Sequence, residues 1–196
     1  TLYKGVREWF ARINAYGAAR GIRILHYINS SGLKEIIEGT EIAHEFRRIY
    51  ACSFLYDIDG VAYWPAVAVN YTNKTQFIFK INKGVESVFD SKLVNQYIEE
   101  DKRPVPFRRM IYVGDGTTDI PCMRLVKNSG GHSIAVYNPE IRNARRELNG
   151  LIRDNRVSHV CPADYSEGSE MDTLVKTIID KIEADHRLEL LETPRT

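Results

Sequence analysis

The chain is poor in the features that mark out several large classes of protein. Its three cysteines, Cys52, Cys122 and Cys161, have no C-x-x-C spacing and each sits in an apolar run, which speaks against a disulfide framework or a thiolate metal site and fits three small buried hydrophobes. No apolar run approaches the ~20 residues of a membrane helix, and the first residues lack the layout of a secretory signal. An excess of one charge is missing too: 27 Lys and Arg stand against 26 Asp and Glu. No global field therefore draws the protein to nucleic acid or to an anionic membrane, and neither is expected as a partner. There is no G-x-G-x-x-G after a first strand and no P-loop, which weakens a nucleotide-binding reading. The cysteine usage and the lack of an export signal make a reducing cytoplasm the expected setting.

What remains is the composition of a globular unit: 43% hydrophobic and 27% charged over 196 residues, enough to bury one sizeable core. One domain over 1–186 and a short tail at 187–196 are expected. Val6, Trp9, Phe10, Ile13 and Tyr16 recur at helical spacing, and 22–29 reads as a buried strand. Ser30, Ser31 and Gly32 break that strand before helical spacing resumes at Leu33, Ile36 and Ile37. Residues 49–56 and 61–67 read as a β-hairpin around the Asp59-Gly60 turn. Helices are expected at about 74–82, 88–100, 120–127, 139–149 and 170–183, with strands at 110–113, 133–137 and 157–161. Strands alternating with helices imply an α/β fold, a mostly parallel sheet covered on both faces.

The most informative stretch is 110–119, MIYVGDGTTD, in which an apolar strand delivers two carboxylates, Asp115 and Asp119, to its C-terminal end. Glycines beside them let backbone approach a ligand closely. Hard oxygen donors above a parallel sheet suit Mg²⁺, which typically takes one or two carboxylates and fills its shell with water and phosphate oxygens. Asp115 is the better candidate for direct coordination. Ser30, Ser31 and Gly32, where a strand gives way to a helix, offer a hydroxyl and backbone N–H groups to a phosphate. Lys74, opening the helix after the hairpin, can aim an ammonium at the same phosphate. Taken singly, each has a plainer reading as a turn, a cap or a solvated lysine.

In this order the three elements resemble the haloacid-dehalogenase-like (HAD) phosphohydrolases, most closely the phosphoserine-phosphatase-like branch, over nearly the whole chain. The resemblance implies a Rossmannoid sheet and a magnesium-dependent phosphomonoesterase acting on a small phosphorylated substrate. It assigns Ser30 to the second motif, Lys74 to the third with Lys80 and Lys83 as competitors, and the run Gly114–Asp119 to the fourth. Ser30 and Lys74 would serve catalysis, Ser30, Ser31, Gly32, Lys74 and Thr118 would contact phosphate or substrate, and Asp115 and Asp119 would form the metal site. Some relatives carry Asn where this chain has Thr118.

The family's first motif, an apolar strand followed by D-x-D, should lie before Ser30, and nothing there fits. The segment 53–61, SFLYDIDGV, imitates it, but order makes Asp57 and Asp59 parts of the hairpin turn. The expectation is that an N-terminal segment supplying the central strand and the nucleophilic aspartate completes the fold. Without that strand, buried ladder edges and an apolar slot should be open, and the chain alone should be inactive. The rival reading is a non-catalytic HAD-like module that binds phosphate or a partner.

Overall fold

The computed structural model describes residues 2–192. Helix α1 (Val6–Ala18) opens the chain and buries Trp9, Phe10, Ile13 and Gly17 on one face. Gly5 precedes it at φ +75°, and a Cβ there would lie 2.3 Å from the Ser166 backbone nitrogen, so both conformation and contact demand glycine. Strand β1 (His26–Leu33) leads into a short helix α2 (Lys34–Glu38). Strands β2 (Phe46–Tyr56) and β3 (Ala62–Val67) form the expected hairpin, and helix α3 (Lys74–Lys83) follows. Beyond it come α4 (Lys92–Asn95), β4 (Ile111–Gly114), α5 (Ile120–Asn128), β5 (His132–Tyr137), α6 (Ala144–Arg153), β6 (His159–Pro162) and α7 (Glu170–Glu192).

The strands form two separate three-stranded sheets, in the orders β1-β2-β3 and β4-β5-β6. β1 pairs with β2 in parallel, β2 with β3 antiparallel, and β4, β5 and β6 are all parallel. The expected α/β class, with parallel pairing, flanking helices and a hairpin, is therefore present. Two helical layers hold the half-sheets together. On one side α1 and α7 bury Phe10, Ile13, Val175 and Ile179 against Phe46 of one sheet and Ile111 and Ile134 of the other. On the other side α3 and α5 bury Phe77, Ile81, Cys122 and Val126 against Tyr50 and Tyr112. Each apolar layer thus spans both sheets.

Several expected boundaries move for identifiable reasons. Instead of a helix over 88–100, there is only α4 and a 3₁₀ turn at Glu100–Lys102. The Lys80 ammonium donates to the carbonyls of Ser87 and Asp90 at 2.9 and 2.6 Å, and Lys83 donates to those of Val94 and Gln96, both at 2.7 Å. Lysines from α3 thus take backbone acceptors that an α-helix would have used itself. Phe89, Leu93 and Tyr97, whose spacing mimics a buried face, are exposed. The helix expected from 139 starts at Ala144, because the Asn138 side chain accepts the Glu140 N–H at 2.9 Å in a turn and Asn143 sits at φ +67°. The strand expected from 22 starts at His26. Helix α7 runs well past 183, through most of the expected tail, and Arg108 and Arg109 hold its Glu189 at 2.8 and 3.0 Å. Positions 193–196 of that tail lie outside the described residues. The loop before α7 is a cap, with Ser169 Oγ accepting the Asp172 N–H at 3.1 Å.

Candidate functional site

Strand β4 ends at Gly114, where the chain turns so sharply that a Cβ would lie 2.6 Å from Asp119 Cβ and 2.7 Å from Met123 Cε. This close approach folds Asp119 back over the end of its own strand. A 3₁₀ turn at Thr117–Asp119 runs straight into α5, with Pro121 in the first helical turn. Asp115 and Thr118 are exposed on the loop, whereas Asp119 is buried.

The first residue of α3 meets this turn. Lys74 Nζ donates to Asp119 Oδ1 at 2.5 Å, with only 4% of Lys74 and 6% of Asp119 exposed. Tyr112 donates its hydroxyl to the same oxygen at 2.6 Å, and the Gly116 N–H donates to Oδ2 at 3.3 Å. Burial first, and the neighbouring Asp119 and Cys122 after it, push the Tyr112 hydroxyl well above its ordinary pKa, so it remains a donor. Burial also raises the Cys122 thiol to about 11. The Asp115 carboxylate faces the Tyr3 hydroxyl, whose pKa is raised by partial burial and then by that carboxylate.

Strand β1 reaches the same place. Asn29 donates through Nδ2 to the Lys74 carbonyl at 3.0 Å and touches Cys122 Sγ at 3.9 Å. Its Oδ1 is buried and has no hydrogen-bond partner. After Asn29 the ladder bulges: Asn29 faces Tyr50, the next pair is Leu33 with Cys52, and residues 30–32 loop away. The Gly32 N–H donates to Ser30 Oγ at 3.0 Å, closing a local turn. That N–H is thus engaged within the loop, while the Ser30 hydroxyl keeps its own proton to donate. Ser31 and Gly32 are exposed.

Of the residues singled out in the sequence, Lys74 and Asp119 therefore meet, Ser30 follows the Asn29 that holds the Lys74 carbonyl, and Asp115 faces Tyr3 on the wall of the same cavity. Lys80 and Lys83 face carbonyls elsewhere. Asp57 organises the hairpin turn, its Oδ1 accepting the N–H groups of Asp59 and Val61 at 3.0 and 2.8 Å. Sequence reasoning missed Tyr112 and Asn29. The signal for Tyr112 was a phenol inside a short apolar strand, where a buried hydroxyl needs a partner; Asn29 likewise carries an amide into a strand end.

Beneath this cluster the edges of β1 and β4 that face away from β2 and β5 have no ladder partner among the described residues. Between them lies a slot of about 890 Å³, lined by Ile28 and Asn29 on one side, Ile111 and Val113 on the other, and Ile13 and Ile78 from the two helical layers. Lys74, Asp115 and Asp119 stand on its wall. Among the described residues, no three His, Cys, Asp or Glu side chains converge as a metal cluster. Among the described residues, no helix is long and apolar enough to cross a membrane.

No family model matches the chain. An uncharacterized protein of Borreliella burgdorferi is 29% identical to it over 177 residues, which are 80% of this chain and 56% of that protein. The chain thus spans little more than half the length of this relative.

Proposed function

We propose that the chain is the larger part of a HAD-type, magnesium-dependent phosphomonoesterase whose nucleophilic aspartate comes from a segment outside it. The observation that carries this reading is the contact between Lys74 and Asp119. These residues are 45 positions apart, and the motif order alone left three lysines in competition. Only Lys74 reaches the fourth-motif carboxylate. The pair and Ser30 line a slot flanked by two strand edges that have no ladder partner among the described residues, a suitable place for a strand that ends in an aspartate.

On this reading the Ser30 hydroxyl donates to a phosphoryl oxygen and the Lys74 ammonium offsets the charge that develops there. Asp119 holds Lys74 in place, and the Asp115 carboxylate takes the metal. A single carboxylate, with Asp119 supporting the site beside it, is within the one or two that magnesium typically takes from a protein, the rest of its shell being water and phosphate oxygens. When bound, magnesium supplies electrophilic stabilisation of the transferring group. The substrate is a small phosphorylated molecule, whose alcohol would leave as the phosphoryl group passes to the incoming aspartate, and the apolar slot holds an N-terminal segment that completes the sheet.

One observation favours a second reading, a non-catalytic module that binds phosphate or a partner. Both oxygens of Asp119 are committed within the protein, to Lys74 and Tyr112 and to Gly116, which leaves Asp115, facing the Tyr3 hydroxyl, as the carboxylate of the two that is open to a metal. Hydrolysis of an aryl phosphate with and without Mg²⁺, by this chain and by a longer protein that includes the upstream segment, separates the two. Metal-dependent turnover only in the longer protein, lost in Asp115→Asn, is the expected result. No turnover in either favours the binding module, and turnover in the short chain that depends on Asp57 overturns the assignment of the nucleophile.

A further inference from the structure

One buried polar group in the cluster is left without a role by the proposed chemistry. Tyr112 is the one polar-tipped side chain of β4, and its hydroxyl shares Asp119 Oδ1 with Lys74 at 2.6 Å. Lys74 arrives from α3 on a flexible stem with three rotatable donors, so it attracts the carboxylate without fixing its plane. A tyrosine in a strand has a rigid ring and two side-chain torsions. Its hydroxyl therefore sets where Oδ1 points, and the carboxylate geometry places Oδ2 on the Gly116 N–H. That contact, at 3.3 Å, is long enough to depend on the first. Gly116 directly follows Asp115, so the orientation of Asp119 reaches the loop that presents the exposed carboxylate.

Tyr112 is itself held. Its hydroxyl has a second neighbour in the Cys122 thiol of α5, which touches Asn29 of β1. The relay from Asn29 through Cys122 and Tyr112 to Asp119 crosses from one half-sheet to the other beside the slot. It ties the strand that carries Ser30 to the loop that carries Asp115.

We propose that Tyr112 is a positioning residue for the metal site: it orients Asp119, and through Gly116 the loop that carries Asp115, without touching metal or substrate. This inference rests on the phosphatase reading. Losing a partner that orients a metal-site carboxylate typically weakens metal affinity ~10- to 100-fold, and the lower end is expected where Lys74 and Gly116 remain.

The test compares the full-length protein with its Tyr112→Phe variant, which keeps the ring and the packing. Mg²⁺ affinity is measured by calorimetry without substrate, and KM for an aryl phosphate is measured at saturating Mg²⁺. About tenfold weaker Mg²⁺ binding with an unchanged KM supports the inference. Equal Mg²⁺ affinity in the two proteins overturns it and leaves the phosphatase reading standing. A joint worsening of Mg²⁺ affinity and KM with early thermal unfolding also overturns it, because the hydroxyl would then serve packing. A wild-type protein that binds no Mg²⁺ overturns the phosphatase reading itself, and this inference with it.

Discussion

Substituting Asp119 by alanine tests whether the central ion pair is desolvated as its geometry states. The variant leaves Lys74, a residue only 4% exposed in this structure, without its 2.5 Å partner, and it deprives the Tyr112 hydroxyl of its acceptor. Removing one member of a buried pair costs about 3–5 kcal/mol, because the remaining charge stays in a low dielectric. Lys74→Met is milder, since Asp119 keeps the Tyr112 and Gly116 donors. The double variant Lys74→Met, Asp119→Ala removes both charges and with them the cost of an unpaired buried ion. The two single effects should therefore fail to add, with a coupling of about 2–3 kcal/mol, the upper end of what residues in contact show. Urea unfolding of the purified chain measures this, with fluorescence of Trp9, on the buried face of α1, as the probe. A loss below about 1 kcal/mol in Asp119→Ala, or simple additivity, would refute the buried pair.

Burial holds His26, His132 and His159 below their ordinary value of 6.5. The unfolded chain takes up these protons first as pH falls, so stability should decline from about pH 6.5 down to the folded values and lose nothing more from them beyond that; thermal midpoints at a series of pH values check it, and a flat profile across that window refutes it. The outward amides of β1 and β4, which lack a ladder partner here, should exchange with solvent much faster than those of β5, which is paired on both sides, and should become protected in a longer protein whose extra strand fills the slot.

How far the sequence could be read depended on whether the deciding interaction was local. The hairpin was legible because Asp57, Asp59 and Gly60 build its turn from their own neighbours. Helix α3 was legible because its apolar face recurs at the right spacing and Gly84 closes it at φ +68°. The helix expected at 88–100 failed for the opposite reason: Lys80 and Lys83 reach across from another element and take its carbonyls. The same division holds in the site. The run 114–119 announces its carboxylates through adjacent glycines, whereas the choice of Lys74 over its neighbours needed the tertiary contact. Tyr112 and Asn29 act only through residues distant in the sequence, and no local pattern carries that.

The two half-sheets bear on how fold and function are coupled under the proposed reading. Parallel strands pack ~4.8 Å apart, so one inserted strand would convert β1 and β4 from edges into interior strands and join six strands into one sheet. Asn29, Ser30 and Lys74 belong to the elements on one side of the slot, and Tyr112, Asp115 and Asp119 to those on the other. They are held at a common place by helical layers and by the relay through Cys122. The buried, unpartnered Asn29 Oδ1 is an acceptor at the slot wall, and leaving such a group unsatisfied costs about 1–3 kcal/mol. An occupant that brings an N–H donor to it would gain that amount beyond the ladder bonds. The same strand that brings a nucleophile would then also lock the distance between Ser30 and Asp115, so filling the slot and assembling the site would be a single event.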